Sequence, residues 1–369
     1  MRFLDKCFIF IFLLFLVLPL VFVDFSSDRI SVLENRRLAN YPNISDIKKH
    51  PKKFIHDFDD WFKDSTGFRE KFISIYKKTD GIFGQNYYLD GTSIVFIGKQ
   101  GHHFHTHYNQ LLPIWHGKPW LDDVQSNELS NKLNSINQYL KEKKIPFIVM
   151  FCTDKESIYP EYYPDFVIKG PEPTSLDAVV DYISANTNID FFCIKENLLQ
   201  EKENWLLYPK TGDIYELCHY NETGSFIAYM ELMKHINKYF PNLKPFTFDD
   251  VDITYRINGS SSLTLKQEKK YKEIESRFIE DALEFENKDL SLPTLLLFQD
   301  SYAYWFKDYL PQHFGRTIMH HLDTLEHFEK FIDLYKPDIV VFESAERVIP
   351  GFADRVIGMP ELPATSDGY

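Results

Sequence analysis

The stretch that decides the fold is Thr294–Pro311, TLLLFQDSYAYWFKDYLP. An apolar run typical of a buried strand reaches Asp300 and Ser301, and a helix is expected to begin directly afterwards at Tyr302. Ligands of open parallel sheets bind at the carboxyl ends of the strands, where N–H groups at a helix N-terminus can stabilise an oxyanion. Ser301 is therefore a candidate nucleophile, and the alternative is that Asp300 or Ser301 only caps the helix.

Helices alternate with strands around this stretch, which indicates an α/β fold with a parallel sheet and helices on both faces. The pattern predicts strands at Ser93–Ile97, Pro146–Phe151, Asp190–Ile194, Thr294–Phe298 and Asp338–Phe342. It predicts helices at His50–Lys78, Val124–Lys144, Ser175–Ala185, Glu222–Tyr239, Leu265–Glu286 and Asp323–Tyr335. The segment Asn258–Ser262 is typical of a loop, and the chain after Gly351 has little pattern, so we expect it to be frayed.

The N-terminal segment predicts a membrane anchor. Phe8–Val23 is apolar and uncharged, and with its flanks it is long enough to cross a hydrocarbon core. Arg2 and Lys6 precede it and Asp24 and Asp28 follow it, which favours a transmembrane helix with a cytoplasmic N-terminus. A cleaved signal peptide is the alternative, although small residues spaced for cleavage are absent. The expected organisation is an anchor at 1–28, an extended segment and helical stalk at 29–85, and one α/β domain at 86–369.

Composition excludes several classes of protein. A net charge of −13 over 369 residues, with no basic patch, makes nucleic acid an unexpected partner. Four cysteines are too few for a disulfide scaffold. Cys152 and Cys193 both lie at the ends of predicted strands, so one bridge between them and buried free thiols are both open interpretations.

A second polar segment, Tyr215–Tyr229 (YELCHYNETGSFIAY), contains a candidate base for Ser301. His219 lies in a polar turn just before a predicted helix. Histidine is the usual base for a serine nucleophile because its pKa lies near neutrality. An isolated histidine in such a turn is more often a capping or surface residue, so the hypothesis depends on the pair.

Four histidines, His102, His103, His105 and His107, are close together in the sequence. Alternate residues of a strand point to one face, so two or three of these imidazoles could bind zinc. No carboxylate or further histidine is indicated as an additional ligand. We therefore favour a surface or cleft-lining role, and we expect neither a metal nor another cofactor.

Taken together, the two polar segments resemble the SGNH-hydrolase-like domain of the AlgX/AlgJ (DHHW) family, exported proteins that O-acetylate bacterial polysaccharides such as alginate. The sequence DSY at 300–302 is similar to the family's GDSF block, which supplies the serine. The sequence HYN at 219–221, followed by Gly224, is similar to the DxHWxxxG block, which supplies the aspartate and histidine. The resemblance implies that Ser301 and His219 are catalytic, with Asp300, Tyr302, Tyr220 and Asn221 as candidate substrate-binding residues.

Further segments match the same family in order along the chain. They are Glu34–Ala39, Gly67–Glu70, Gly98–Gly101, Lys155 with Ile158–Glu161, and Pro337–Val341 with Glu346 and Arg347. Each segment is short and degenerate, but the order is hard to obtain by chance. The resemblance therefore covers nearly everything after the predicted anchor.

Two positions depart from the family pattern. Leu217 stands where the family has its aspartate, and Gln299 where it has a glycine before Asp-Ser. The aspartate fixes the tautomer of the imidazole and stabilises its protonated form, and its loss from a serine protease triad costs on the order of 10⁴ in turnover. Glu216 and then Asp213 are the replacement acids we consider, with a serine–histidine dyad as the alternative.

The sequence thus predicts an O-acetyltransferase or acetylesterase that acts on a bacterial polysaccharide outside the cytoplasm. The expected location is the inner membrane, as a single-pass protein with its main domain in the periplasm or outside the cell. The resemblance also implies an acetyl donor, passed on by a membrane O-acyltransferase. The alternative, motivated by Leu217 and Gln299, is a catalytically degenerate scaffold or glycan-binding component of a polysaccharide modification or export complex.

Overall fold

The computed structural model describes residues 3–27, 29–31, 36–69, 71, 87–90, 93–106, 120–164, 174–276 and 282–363. The backbone divides into two compact units, residues 1–85 and 86–369. The helices are α1 (Phe3–Val21), α2 (Asp46–Lys49), α3 (Pro51–Ser65), α4 (Asp123–Glu142), α5 (Lys155–Ile158), α6 (Ser175–Asn186), α7 (Lys195–Glu201), α8 (Ile214–Cys218), α9 (Glu222–Ile236), α10 (Phe328–Tyr335) and α11 (Ile349–Ile357). The strands are β1 (Ile30–Ser31), β2 (Arg36–Arg37), β3 (Tyr87–Asp90), β4 (Ser93–Ile97), β5 (His103–Thr106), β6 (Phe147–Cys152), β7 (Asp190–Cys193), β8 (Val251–Tyr255), β9 (Ser261–Leu265), β10 (Tyr271–Ile274), β11 (Leu283–Asn287), β12 (Thr294–Gln299), β13 (Arg316–His321) and β14 (Ile339–Ala345).

Seven of the described strands form one sheet, in the order β10-β11-β13-β12-β14-β6-β7. The five strands from β13 to β7 are parallel, while β11 pairs antiparallel with β13 and β10 antiparallel with β11. The carboxyl ends of β12, β14 and β6 therefore lie side by side at one edge of the sheet. A ligand site is expected at that edge.

Side chains of the central strands alternate between two cores. In β12, Leu295 and Leu297 pack with the core that includes α9, and Leu296 and Phe298 pack with the core that includes α4, α10 and α11. All four side chains have no exposed surface. The alternation follows from the two-residue period of a strand, and the continuous apolar run reflects burial on both faces. The prediction of a mixed α/β fold is confirmed.

The predicted helix Leu265–Glu286 is wrong. The described part of this segment contains strands β10 and β11, which pair with each other at the edge of the sheet. The segment is rich in Lys and Glu, which favour helices, but in β10 Lys272 and Glu273 are exposed residues of an edge strand. Burial of Phe285 against the sheet core outweighs the local helix preference.

Several other elements differ from the predictions. The helix expected from Tyr302 is a 3₁₀ helix, Ser301–Asp308, and the start of the helix expected at Asp323 is another, Leu322–His327. Strands β8, β9 and β13 were not predicted. The expected loop Asn258–Ser262 is in part the turn between β8 and β9, and it ends within β9. The chain after Gly351 is helical as far as Ile357, so the expectation of a frayed tail from that point is wrong.

In the smaller unit the apolar N-terminal segment is helical, as α1. Within the described part of the chain, no helix combines the length and apolar character required to cross a membrane. The helix predicted over His50–Lys78 is confirmed in part as α3, with Trp61 buried on its apolar side, but the described chain leaves the helix after Ser65 and Phe68 has a φ of 63°. Its predicted continuation over 72–78 lies outside the described residues.

The cysteines of the larger unit are free thiols. Cys152 is buried at the end of β6, and Cys193 is partly buried at the end of the neighbouring strand β7. Burial raises the pKa of the Cys193 thiol to about 12. Of the two open interpretations, the structure therefore has free thiols.

Candidate active site

The strand-to-helix junction after β12 is held by the carboxylate of Asp300. One oxygen accepts a hydrogen bond from the backbone N–H of Tyr302 at 2.8 Å, and the other accepts from the N–H of Ala345 at 2.7 Å. Asp300 thus caps the 3₁₀ helix and ties it to the end of β14. The helix cap is therefore Asp300, while Ser301, the candidate nucleophile, is exposed at the carboxyl edge of the sheet.

The turn between α8 and α9 positions His219. Asn221 caps α9 by accepting a hydrogen bond from the N–H of Gly224 at 3.1 Å. A Cβ atom at Gly224 would lie 2.7 Å from the carbonyl oxygen of Leu207, so only glycine fits there. The spacing of the histidine, asparagine and glycine in the motif therefore follows from the packing of this turn.

The side chains of His219 and Ser301 meet although they are 82 residues apart. The Nε2 atom of His219 lies 2.7 Å from Oγ of Ser301. The Nδ1 atom lies 2.7 Å from the backbone carbonyl oxygen of Tyr215. A carbonyl oxygen only accepts hydrogen bonds, so Nδ1 carries the proton in the neutral ring and Nε2 is free to accept the proton of the serine hydroxyl.

The hydrogen bonds of the two candidate acids go to other groups. The carboxylate of Glu216 accepts hydrogen bonds from the amide of Asn258, at 3.2 Å, and from the hydroxyl of Ser260, at 2.9 Å. The carboxylate of Asp213 caps α8 by accepting from the N–H of Glu216. The partner of His219 at Nδ1 is instead the backbone of Tyr215, a residue that the sequence patterns did not indicate.

Two tyrosine rings flank the imidazole of His219. The ring centroid of Tyr215 lies 4.4 Å away, and that of Tyr302 lies 5.1 Å away. A cation within about 6 Å of an aromatic ring is attracted to the negative face of the ring. Both rings are therefore close enough to stabilise a protonated imidazole.

A buried ion pair lies beneath the site. Arg347 bonds to the carboxylate of Asp154, and its guanidinium also donates to the carbonyl oxygen of Cys218 at 2.7 Å. The hydroxyl of Tyr302 donates to Asp154 at 2.6 Å. Because Cys218 precedes His219, this network connects the turn that carries the histidine to the helix that carries Ser301.

Asp154 and Arg347 both lie just after the end of a strand. This position in the sequence could have indicated them as residues of the site. Asp154 lies two residues after β6, and Arg347 lies two residues after β14. Parallel strands bring these positions to the edge that carries Ser301. Arg347 belongs to one of the predicted motifs, whereas no motif singles out Asp154.

The candidate substrate-binding residues are buried. Tyr302 and Tyr220 are 0% and 2% exposed, and the hydroxyl of Tyr220 donates to the carbonyl oxygen of Tyr302 at 2.8 Å. The amide of Asn221 donates to the carbonyl oxygens of Leu206 and Gly259. These side chains hold the backbone around Ser301 and His219, and their role as substrate contacts stays a prediction.

Solved structures of other proteins share this fold. A DHHW family protein from Eubacterium siraeum gives a TM-score of 0.53 at 10% identity, over 75% of this chain and 99% of that chain. PatB1 from Bacillus cereus gives 0.51 at 15% identity, over 70% and 97% of the two chains. The chain has the fold of these two proteins. The predicted resemblance to DHHW proteins is thus confirmed at the level of the fold.

A third solved structure, the O-acetyltransferase domain of AlgJ from Pseudomonas putida, gives a TM-score of 0.45 at 12% identity, over 71% of this chain and 98% of that chain. No protein-family model matches the chain, and no curated protein matches it by sequence. The likeness is therefore one of fold, and residue roles have to be argued from this chain's own site.

Two of the clustered histidines, His102 and His105, are buried. His102 is 1% exposed and stacks on the ring of Tyr162 at 4.1 Å between centroids, and burial lowers its pKa to about 3. His105 is also buried, with Nδ1 at 3.1 Å from Sγ of Cys218. The expected surface role is therefore wrong for these two residues. His107 lies outside the described residues, among which no group of three potential ligands is arranged to hold a metal ion.

Proposed function

We propose that this chain is an extracytoplasmic enzyme of SGNH type that transfers an acetyl group to a bacterial polysaccharide or removes one from it. Ser301 is the nucleophile and His219 is the general base. The observation that supports this proposal most is the 2.7 Å contact between Nε2 of His219 and Oγ of Ser301, with Nδ1 donating to the carbonyl oxygen of Tyr215. The order of sequence motifs supports the substrate class.

The proposed reaction has two acyl-transfer steps. Oγ of Ser301 attacks the acetyl carbonyl of the donor while Nε2 of His219 takes the hydroxyl proton, and the imidazolium then protonates the leaving group. An acceptor hydroxyl attacks the acetyl-serine, gives its proton to Nε2, and restores the serine. The backbone N–H of Ser301, at the start of the 3₁₀ helix, serves as one oxyanion donor.

The backbone partner of Nδ1 in His219 and the neighbouring rings determine how we expect the imidazolium to be stabilised. The carbonyl dipole of Tyr215 holds the Nδ1–H tautomer, and the rings of Tyr215 and Tyr302 lie within cation–π distance. These neutral groups stabilise the cation less than a buried carboxylate does. The site therefore favours a dyad that depends on ring stacking and backbone geometry.

Catalysis is tested by hydrolysis of a chromogenic acetyl ester by the full chain. Ser301→Ala and His219→Ala should each lower kcat/KM by about 10³-fold or more, because the two residues act as a unit. Ser291→Ala is the matched control, since this serine precedes the other end of β12 and should retain full activity. Equal rates for the wild type and Ser301→Ala would favour the non-catalytic scaffold instead.

We also propose that the main domain lies outside the cytoplasm, held at the inner membrane by the N-terminal segment. The charge asymmetry of Arg2 and Lys6 against Asp24 and Asp28 supports this orientation. A reporter enzyme that is active only after export, fused after residue 363, tests it. Activity of the fusion in the membrane fraction is the expected result, and an inactive, cytosolic fusion contradicts the proposal.

A further inference from the structure

A second cavity lies at the opposite edge of the sheet from Ser301. It has a volume of about 340 Å³, and its polar lining consists of Lys244, Asp250, Gln267, Lys270, Gln312 and His313. His313 lies three residues before β13, whose first residue, Arg316, pairs with Thr294 at the amino end of β12. The six residues of β12 separate this end from Ser301 by roughly 20 Å at about 3.3 Å per residue. We call this space the amino-edge cavity.

The protonation state of His313 follows from its partners. The backbone N–H of Phe246 donates to the hydroxyl oxygen of Tyr229 at 3.0 Å, and that oxygen lies 2.6 Å from Nε2 of His313. The phenol has one proton to donate, and Nε2 is its remaining partner, so Nε2 accepts. Nδ1 of the neutral ring therefore carries the other proton.

This N–H group is available to a ligand. His313 is 7% exposed and lines the cavity, and among the described residues no hydrogen bond to Nδ1 is formed. Burial, and then the charge of Lys270, lower the pKa of His313 to about 4, so the ring is neutral near pH 7. An imidazole N–H that lines an open cavity can donate a hydrogen bond to an oxygen of a bound ligand.

The charges around the cavity favour an anion. Lys244 and Lys270 line it from exposed positions, and the backbone of Lys270 is fixed by a 3.0 Å hydrogen bond to the side-chain oxygen of Gln312. The one acidic side chain of the lining, Asp250, already accepts hydrogen bonds from Thr247 and Gln267. Two lysines against one engaged carboxylate leave a net positive charge.

We propose that the amino-edge cavity binds a compact oxyanion, the carboxylate of a sugar acid or a phosphate group, between Lys244 and Lys270, with Nδ1–H of His313 donating to one oxygen. The volume is at the lower end of the range for small-molecule sites and suits one monosaccharide-sized group. This site is independent of the proposed acyl transfer. It would hold an anionic ligand far from Ser301.

Binding of D-glucuronate and of inorganic phosphate to the full chain, measured by calorimetry and by ¹⁵N shifts of labelled histidine, tests the proposal. We expect saturable binding of at least one probe below about 20 mM. Lys244→Gln/Lys270→Gln should weaken that binding at least about tenfold, through loss of both cations. Lys141→Gln/Lys143→Gln, at two exposed positions at the C-terminal end of α4, is the matched control and should bind like the wild type.

The results distinguish a sugar acid from a phosphate group as the bound anion. They also distinguish anion binding in the amino-edge cavity from acyl transfer at Ser301. Tighter binding of glucuronate identifies a sugar acid, and tighter binding of phosphate identifies a phosphate group. Ser301→Ala should bind the preferred probe as the wild type does, whatever its effect on ester hydrolysis. Absence of saturable binding by both probes, or equal affinity in the wild type and the Lys244→Gln/Lys270→Gln variant, overturns the proposed site.

Discussion

At the scale of single residues, the feature of the candidate site that sequence patterns did not indicate is the main-chain oxygen that accepts a hydrogen bond from Nδ1 of His219. His219 donates from Nδ1 to the carbonyl oxygen of Tyr215, four residues earlier, across the last turn of α8. Leu217, at the position where a carboxylate was expected, is 2% exposed and packs inside the protein. The tautomer is thus fixed by helix geometry, which no side-chain substitution removes directly.

Substitution of the two nearby acids tests this arrangement. Glu216→Gln and Asp213→Asn should each change kcat/KM by less than about threefold, compared with about 10⁴ for loss of a triad aspartate. The reason is that each carboxylate has other hydrogen-bond donors. Glu216 accepts from Asn258 and Ser260, and Asp213 accepts from a backbone N–H at the start of α8. Steady-state hydrolysis of an acetyl ester measures the effect. A loss of about 100-fold in either variant would assign that residue as the acid.

A second residue-scale prediction concerns Asp300, whose two carboxylate oxygens each accept a backbone N–H. In Asp300→Asn one of these N–H groups faces an amide NH₂ instead of an oxygen. We expect the free energy of unfolding to fall by about 1–3 kcal/mol, the cost of an unsatisfied buried donor. Urea denaturation measures it. Asp289→Asn, at an exposed turn, should stay within about 0.5 kcal/mol of the wild type, and an equal effect in both variants would contradict the argument.

The sequence identified the pair Ser301 and His219 but not the partner of the histidine. Each residue follows only a weak local signal, an apolar strand that ends in a polar junction or a polar turn before a helix, and the resemblance of both segments to the DHHW motifs is what linked them. The carbonyl of Tyr215 carries no such signal, since every residue has one and only the backbone path of α8 aims it at Nδ1. Sequence patterns can indicate only side chains as partners of a histidine, which is why Glu216 and Asp213 were the predicted acids.

At the scale of elements, the 3₁₀ helix Ser301–Asp308 determines which side chains lie beside the nucleophile. Side chains three residues apart eclipse one another in a 3₁₀ helix, so Tyr304 stands next to Ser301 on the same face. Tyr304 is 38% exposed, and the ammonium of Lys307 lies 3.4 Å from its ring centroid. The hydroxyl of Tyr304 also contributes, after burial, to the raised pKa of Tyr215 across the site.

Tyr304 is therefore expected to contact the sugar next to the reacting group. Tyr304→Ala should raise KM for an acetylated or acceptor oligosaccharide about 2–10-fold, the range of one aromatic contact, and leave kcat for a small acetyl ester unchanged. Kinetics with both substrates measures the difference. Tyr239→Ala, which removes an exposed tyrosine remote from the site, is the control. A fall in kcat on the small ester would show that Tyr304 positions Ser301 instead.

The success of the element predictions depended on where each segment lies in the sheet. Strands β6, β12 and β14 were predicted closely because they are buried on both faces, so their apolar runs have no competing interpretation. Strands β10 and β11 lie at the edge, where exposed Lys and Glu side chains resemble those of a surface helix. The 3₁₀ helix was expected to be an α-helix because Asp300 caps both kinds of helix in the same way.

At the scale of the larger unit, acidic side chains are buried at the carboxyl ends of β12, β14 and β6. Burial raises the pKa of Glu343 and of Asp300, whose N–H donates to Glu343 at 3.1 Å. Burial and the neighbouring charge of Asp154 raise the pKa of Glu346 to about 8. The raised pKa of Glu346 favours its protonated form near pH 7, which lowers the cost of burying several like charges under the site.

The stability of the whole protein should consequently depend on pH through Glu346. The unfolded acid has a pKa near 4.5, so between about pH 4.5 and 8 the folded state holds a proton that the unfolded state has lost, and stability falls as pH rises. Glu346→Gln stays neutral while keeping a partner for the N–H of Asp154 and for Ser157. The variant should therefore gain stability relative to the wild type as pH rises through this window.

Thermal unfolding between pH 5 and 8 measures this gain. Other groups titrate in both proteins, so the difference in Tm between Glu346→Gln and the wild type isolates the one carboxyl. We expect that difference to grow by at least about 3 °C from pH 5 to pH 8, since one pKa unit corresponds to about 1.4 kcal/mol. Glu326→Gln, whose side chain is 71% exposed, should show a constant difference. A constant difference for Glu346→Gln as well would mean that this carboxyl is ionised in the folded protein.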